Sequence, residues 1–166
     1  MSISTINLHE NFLSGSIPSE IGQLSSLKDM HVSNNNLSGS IPSDFGKLSS
    51  LKTLELYDSS LSESIPSELG LLLNLEYMEL SNNSLSGNIP SELGQLSSLF
   101  TVNLARNMLS GTIPLDIGLL SLTMDINFAY NSLTGSVPME VCELGDKVDY
   151  SDNLSLTECL DVEWPV

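Results

Sequence analysis

Six prolines set the frame of this chain: Pro18, Pro42, Pro66, Pro90, Pro114 and Pro138 recur every 24 residues. A fixed period of this length marks a solenoid, in which each repeat is one coil packed on its neighbours. The coils run over residues 3–26, 27–50, 51–74, 75–98, 99–122 and 123–146. The expected organisation is six repeats within 1–146, then a degenerate seventh repeat and an acidic C-terminal cap over 147–166.

Coil four, residues 75–98, shows what one repeat says. Tyr77-Met78-Glu79-Leu80-Ser81 alternates polar and apolar, which predicts a short strand with Met78 and Leu80 inward and Tyr77, Glu79 and Ser81 outward. Where the chain leaves that strand, Asn11, Asn35, Asn83, Asn107 and Asn131 form a column. A buried Asn there serves the backbone amides and carbonyls of the turns around it. Leu85–Pro90, Leu-Ser-Gly-Asn-Ile-Pro, predicts a tight bend, and Ser91–Leu96 is short enough to predict a 3₁₀ turn. Serine is expected to cap that turn. The acid after it, Glu20, Asp44, Glu68, Glu92, Asp116 and Glu140 through the coils, reads as a turn-start preference rather than a cation strip.

The repeats resemble the plant-type leucine-rich repeat, LxxLxLxxNxLSGxIPxxLGxLxx, which five of the six coils match at most positions. The resemblance implies an α/β-type leucine-rich repeat solenoid: a right-handed curved coil with a concave parallel β-sheet and short 3₁₀ turns on the convex side. It also implies the company such repeats keep, in ectodomains of receptor-like kinases and receptor-like proteins and in polygalacturonase-inhibiting proteins of plant cell walls. An extracellular or cell-surface location follows as an expectation.

Charge narrows the partners. Five basic residues against 21 acidic ones leave a formal charge of −16. Phosphate binding needs clustered Lys and Arg, so nucleic acid is excluded, and partners of basic character are favoured. No apolar run approaches the ~20 residues of a membrane span. No signal peptide and no cysteine-paired N-terminal cap precede coil one. Its apolar edge is therefore expected to be open, either because the chain belongs to a longer protein or because something covers it, with self-association as one route.

Cys142 and Cys159 are the only cysteines. Cys142 stands in the slot that Gly22, Gly46, Gly70, Gly94 and Gly118 hold in earlier coils. A bridge to Cys159 would tie the tail to the last coil, worth on the order of 3 kcal/mol for such a loop; two buried free thiols are the alternative. Trp164 is expected to lie over the last coil. Coil three is irregular, with Ser59 in place of the column Asn and Glu63 in place of the bend Gly.

Outward strand residues of adjacent coils stack about 4.8 Å apart. One column reads Asn7, His31, Glu55, Glu79, Asn103, Asn127, and a second Thr5, Asp29, Thr53, Tyr77, Thr101, Asp125. A third reads His9, Ser33, Tyr57, Ser81, Ala105, Ala129, and a fourth Glu10, Asn34, Asp58, Asn82, Arg106, Tyr130. Glu55 beside Glu79 is unfavourable unless a cation lies between them. The expected ligand-binding residues are His31, Glu55, Tyr57, Asp58, Tyr77, Glu79, Arg106 and Tyr130. No metal, cofactor or catalytic constellation is read from the sequence, because His9, Glu10, Asp29 and His31 make no closed ligand set and a solenoid face lacks an enclosed pocket. The expected function is non-enzymatic recognition of a protein or peptide on the concave face. The alternatives are inhibition of a cell-wall-degrading enzyme and a scaffold subunit; ice binding is disfavoured by a Thr column broken by Asp29, Tyr77 and Asp125.

Overall fold

A computed structural model of the chain describes residues 2–157 and 159. Seven parallel strands, Thr5–Asn7, Asp29–His31, Thr53–Glu55, Tyr77–Glu79, Thr101–Asn103, Asp125–Asn127 and Val148–Asp149, form one sheet in chain order. Thr5 pairs with Asp29, Asp29 with Thr53 and Thr53 with Tyr77, and the same register continues to Asp125. At the last step Ile126 pairs with Val148, so the degenerate seventh coil arrives two residues early. The fold is the expected solenoid.

The interior is built from the same positions in every coil. Leu54, Met78, Val102 and Ile126 point inward from the strands, Leu61, Leu85, Leu109 and Leu133 from the bends, and Phe45, Leu69, Leu93 and Ile117 from the turns. All are buried in one continuous core. Thr123 replaces a core leucine, and its hydroxyl donates to the Leu99 carbonyl at 2.9 Å, which satisfies the group that burial would otherwise penalise.

The asparagine column works as a staple between coils. Asn107 Oδ1 accepts from the Leu85 amide, while its Nδ2 faces the carbonyls of Leu80, Leu104 and Ala105 at 3.1–3.3 Å. Asn35, Asn83, Asn131 and Asn153 repeat the pattern. Ser59 is too short to reach such partners, and its buried hydroxyl has none.

The Leu-Ser-Gly bends are more ordered than the sequence suggests. Ser14–Ser16, Asn36–Gly39 and Ser60–Leu61 form a second parallel sheet, and Ser86–Gly87, Met108–Gly111, Ser132–Ser136 and Ser155–Thr157 a third. Backbone pairing between stacked coils makes them strands despite their serines and glycines. The two sheets join by a single bridge, Ser64 to Ser86. That gap falls in coil three, where Glu63 holds the bend at φ +66° although Gly39, Gly87, Gly111 and Gly135 occupy it elsewhere.

Five turns are 3₁₀ helices, Ser19–Gln23, Ser43–Lys47, Ser67–Leu71, Ser91–Gln95 and Leu115–Leu119; the sixth, Met139–Cys142, is a single α-helical turn. Serine does not cap them. The cap position is the repeat proline in extended conformation, with no side-chain hydrogen bond. Proline's fixed φ enters the turn directly, and Ser91 Oγ instead donates to the Glu92 carboxylate at 3.3 Å. Glycine in these turns answers to packing: a Cβ on Gly46 would lie 2.6 Å from the Glu68 carbonyl oxygen of the next coil. Cys142 holds the same slot in the last full repeat, and its sulfur is bonded to Cys159 across a Cα–Cα distance of 5.8 Å. Trp164 and the acids Glu158, Asp161 and Glu163 lie outside the described residues.

Ser59→Asn is expected to restore the missing staple and raise the unfolding free energy by about 1 kcal/mol, read as a higher urea midpoint at unchanged slope.

Candidate functional site

Structural positions in a solenoid repeat; functional ones are those left free to vary. On the seven-stranded face these are the outward residues of the strands and the two rims. Strand pairing places Asn7, His31, Glu55, Glu79, Asn103, Asn127 and Asp149 side by side along the middle.

The expected clash between Glu55 and Glu79 is relieved from the other side. His31 Nδ1 lies 2.6 Å from Glu55 Oε2, so Glu55 has a partner that is cationic whenever the imidazole is protonated. Among the described residues no cation pairs with Glu79. Burial pushes its carboxyl up to about 7; a hydrogen bond from Asn103 opposes that rise, and Asp125 and then Glu55 add to it. Desolvation therefore outweighs the Glu55 repulsion on which the sequence reading turned. Asn103 is oriented for its role, because its Oδ1 accepts from the Ala105 amide at 3.0 Å.

Two further clusters flank this floor. On one rim the Arg106 guanidinium sits 4.3 Å from the centroid of the Tyr130 ring, a cation–π geometry. On the other, Tyr77 and Phe100 rings lie 6.1 Å apart, tilted by 38°. Beside them Lys52 Nζ donates to Glu76 Oε1 at 2.5 Å, and that bond holds the ammonium above its usual value.

The structure brings His31, Glu55 and Glu79 into one row and pairs Arg106 with Tyr130. Of the third column it leaves His9 exposed and takes four members off the surface. Ser33, Ser81, Ala105 and Ala129 are buried, because the strand ends two residues before them. Tyr57 belongs to that column and stays partly exposed. The fourth column, Glu10, Asn34, Asp58, Asn82, Arg106 and Tyr130, has φ between 51° and 56° throughout. This left-handed backbone suits Asn and Asp and penalises bulkier residues. The column's recurrent Asn and Asp carried that signal. Asp58 thus sits where the backbone favours its type, whereas Arg106 and Tyr130 depart from the preference. Phe100, a rim residue outside the four columns, was missed. Of the three N-x-Ser sequons, Asn36 and Asn82 are exposed, whereas the Asn153 amide nitrogen is used up on the carbonyls of Phe128, Tyr150 and Ser151.

A Leucine Rich Repeat family model matches residues 2–24, 26–48, 50–72 and 74–96. The chain belongs to the leucine-rich repeat family. No curated protein matches it in sequence, but solved leucine-rich repeat structures do. The ectodomain of the Arabidopsis thaliana receptor kinase GASSHO1/SCHENGEN3, solved with CASPARIAN STRIP INTEGRITY FACTOR 2, is 37% identical over 93% of this chain, with TM-score 0.86. The Arabidopsis receptor kinase HAESA, solved with the peptide hormone IDA and the co-receptor SERK1, is 32% identical over 93%, with TM-score 0.82. A plant ice-binding protein is 28% identical over 94%, with TM-score 0.81. The chain spans 18%, 26% and 50% of those three in turn. One leucine-rich repeat frame thus carries unlike functions, and surface residues must decide between them. Among the described residues no helix is long and apolar enough to cross a membrane.

The raised Glu79 carboxyl has a consequence for stability. Between its ordinary value near 4.5 and about 7 the folded protein holds a proton that the unfolded chain has released, so the Glu79 contribution to stability falls as pH rises through that window and levels off above it. Glu79→Gln is therefore expected to raise Tm relative to the parent at pH 8 and to match it at pH 4, as calorimetry at both pH values would show.

Proposed function

We propose that this leucine-rich repeat solenoid is a non-enzymatic recognition module that binds a basic protein or peptide segment on its concave face, in an extracellular setting. The observation that carries the reading is Glu79, a carboxylate in the middle of the face with Glu55 paired beside it, Asp125 two strands away, and no ion pair among the described residues. A Lys or Arg from a partner would pair with Glu79 in the field of Glu55 and Asp125, and the proton Glu79 holds would leave as the ion pair forms. The receptor ectodomains that resemble the chain, one of them bound to a peptide hormone, support a protein or peptide as the partner. The Thr5, Thr53 and Thr101 column is interrupted by Asp29, Tyr77 and Asp125 in the paired strands, which speaks against an ice-matching surface there.

A displayed library of random peptides, selected against the oxidised protein, tests this reading. Selected peptides are expected to be rich in Lys and Arg, and Glu79→Lys should weaken them at least about tenfold, the scale of a buried charge pair losing one partner. Glu68→Lys, on an exposed convex turn, changes net charge equally and should leave binding within about twofold. Equal loss in both variants would show attraction to bulk charge and sink the concave site.

A further inference from the structure

The rim of coils four to six departs from the repeat in one direction. The residue that opens each strand approach reads Ser4, Lys28, Lys52 and Glu76, then Phe100 and Met124. Leu122 stands where earlier coils have Ser26, Ser50, Asn74 and Ser98. Tyr77 stands where the flanking coils have Thr53 and Thr101. None of these four is required by the core: Tyr77 is 44% exposed, Phe100 43%, Leu122 65% and Met124 72%. Backbone bonds hold the patch in register, with the Phe100 amide on the Glu76 carbonyl and the Met124 amide on the Phe100 carbonyl, each 2.8 Å. Exposed apolar residues also stand on the turns, at Leu71, Leu115, Leu119 and Met139, but on the rim of the seven-stranded face the change falls at adjacent coils and beside the carboxylates.

Tyr77 ties this patch to the acidic floor. It precedes Glu79 by two residues on one strand, so both side chains leave the same face about 7 Å apart. Asp125, which helps raise Glu79 from two strands away, follows Met124 directly. An apolar surface and the Glu79 carboxyl thus lie within reach of successive residues of one bound segment, with Asp125 two strands further along the same face. We infer that Tyr77, Phe100, Leu122 and Met124 form an apolar anchor site for the same partner segment, which carries a large apolar side chain within two or three residues of a Lys or Arg. The inference rests on the concave-face reading and adds to it the second chemical requirement on the partner. Charge complementarity selects the occupant: an apolar surface alone would accept many partners, whereas one bordered by Glu79 and Asp125 favours a cationic one. Tyr and Phe at its centre supply rigid apolar area of the kind that dominates such contacts.

The library-selected peptides test this with one more variant. They are expected to show an aromatic or large aliphatic residue two or three positions from the Lys or Arg. Phe100→Ser, at an exposed site, should keep the parent unfolding curve, weaken binding about tenfold, and yield on reselection basic peptides without the apolar preference. Peptides sensitive to Glu79→Lys but indifferent to Phe100→Ser would overturn the anchor and leave the concave-face reading standing. Peptides indifferent to both would overturn both. A dimer of the free protein that Phe100→Ser or Met124→Ser dissolves would make a second copy the occupant, and would overturn a peptide anchor.

Discussion

Every coil of this molecule depends on how the chain's backbone groups are served where it leaves the strand. There the backbone passes through a left-handed residue, and carbonyls of two coils converge without a ladder to receive them. In coil two and in coils four to seven one carboxamide answers both, as at Asn107, its oxygen taking an amide of the preceding coil and its nitrogen facing three carbonyls. No other neutral side chain offers an acceptor and two donors in so small a volume. Because the staple reaches back one coil each time, it also fixes the coil-to-coil spacing. Glycine in the turns permits the same approach on the opposite side, where the next coil's carbonyl would strike a Cβ.

Fixed spacing has an electrostatic cost that falls on the free face. Residues at one position of successive coils become close neighbours, and a chain of net charge −16 stacks carboxylates upon each other. Along the middle row His31 answers Glu55, and no equivalent answers Glu79. The protein keeps Glu79 tolerable near neutral pH by letting it hold a proton and by turning the Asn103 amide toward it. A carboxylate maintained that way is poised to gain from a cation supplied from outside, which is the physical reason to place recognition here.

Much of this frame was legible from spacing alone. The proline register and the Asn column are repeated demands of the same backbone geometry, so six copies of the sequence reinforce one reading. What escaped the sequence was geometry that repeats without an apolar signature. The Leu-Ser-Gly strands are held by backbone pairing, and serine and glycine do not announce it. Ser81 and Ala105 look like outward strand positions by alternation, yet the strand stops at Glu79 and Asn103, and small residues fold under. For the candidate site, the row containing Glu79 was visible, whereas the cause of its strain was not, since burial outweighs the neighbouring charge. Phe100 lay outside the counted columns and was found only through its ring contact with Tyr77.

Coil three shows what happens when the frame is relaxed. It lacks the carboxamide at Ser59, holds Glu63 in a conformation better suited to glycine, and interrupts the second sheet between Leu61 and Ser86. In a solenoid, stability is a sum of coil and interface terms, so local losses are not shared across the whole molecule. The seven-stranded ladder passes through coil three unbroken, with Thr53, Leu54 and Glu55 paired to Tyr77, Met78 and Glu79. The candidate face is therefore held across this seam by its own strands while the second sheet loosens beside it. Its apolar rim and acidic floor lie in coils four to six, on the side of the seam where the staples Asn83, Asn107, Asn131 and Asn153 run without a gap. Pre-organisation is greatest where the free surface carries its unanswered charge.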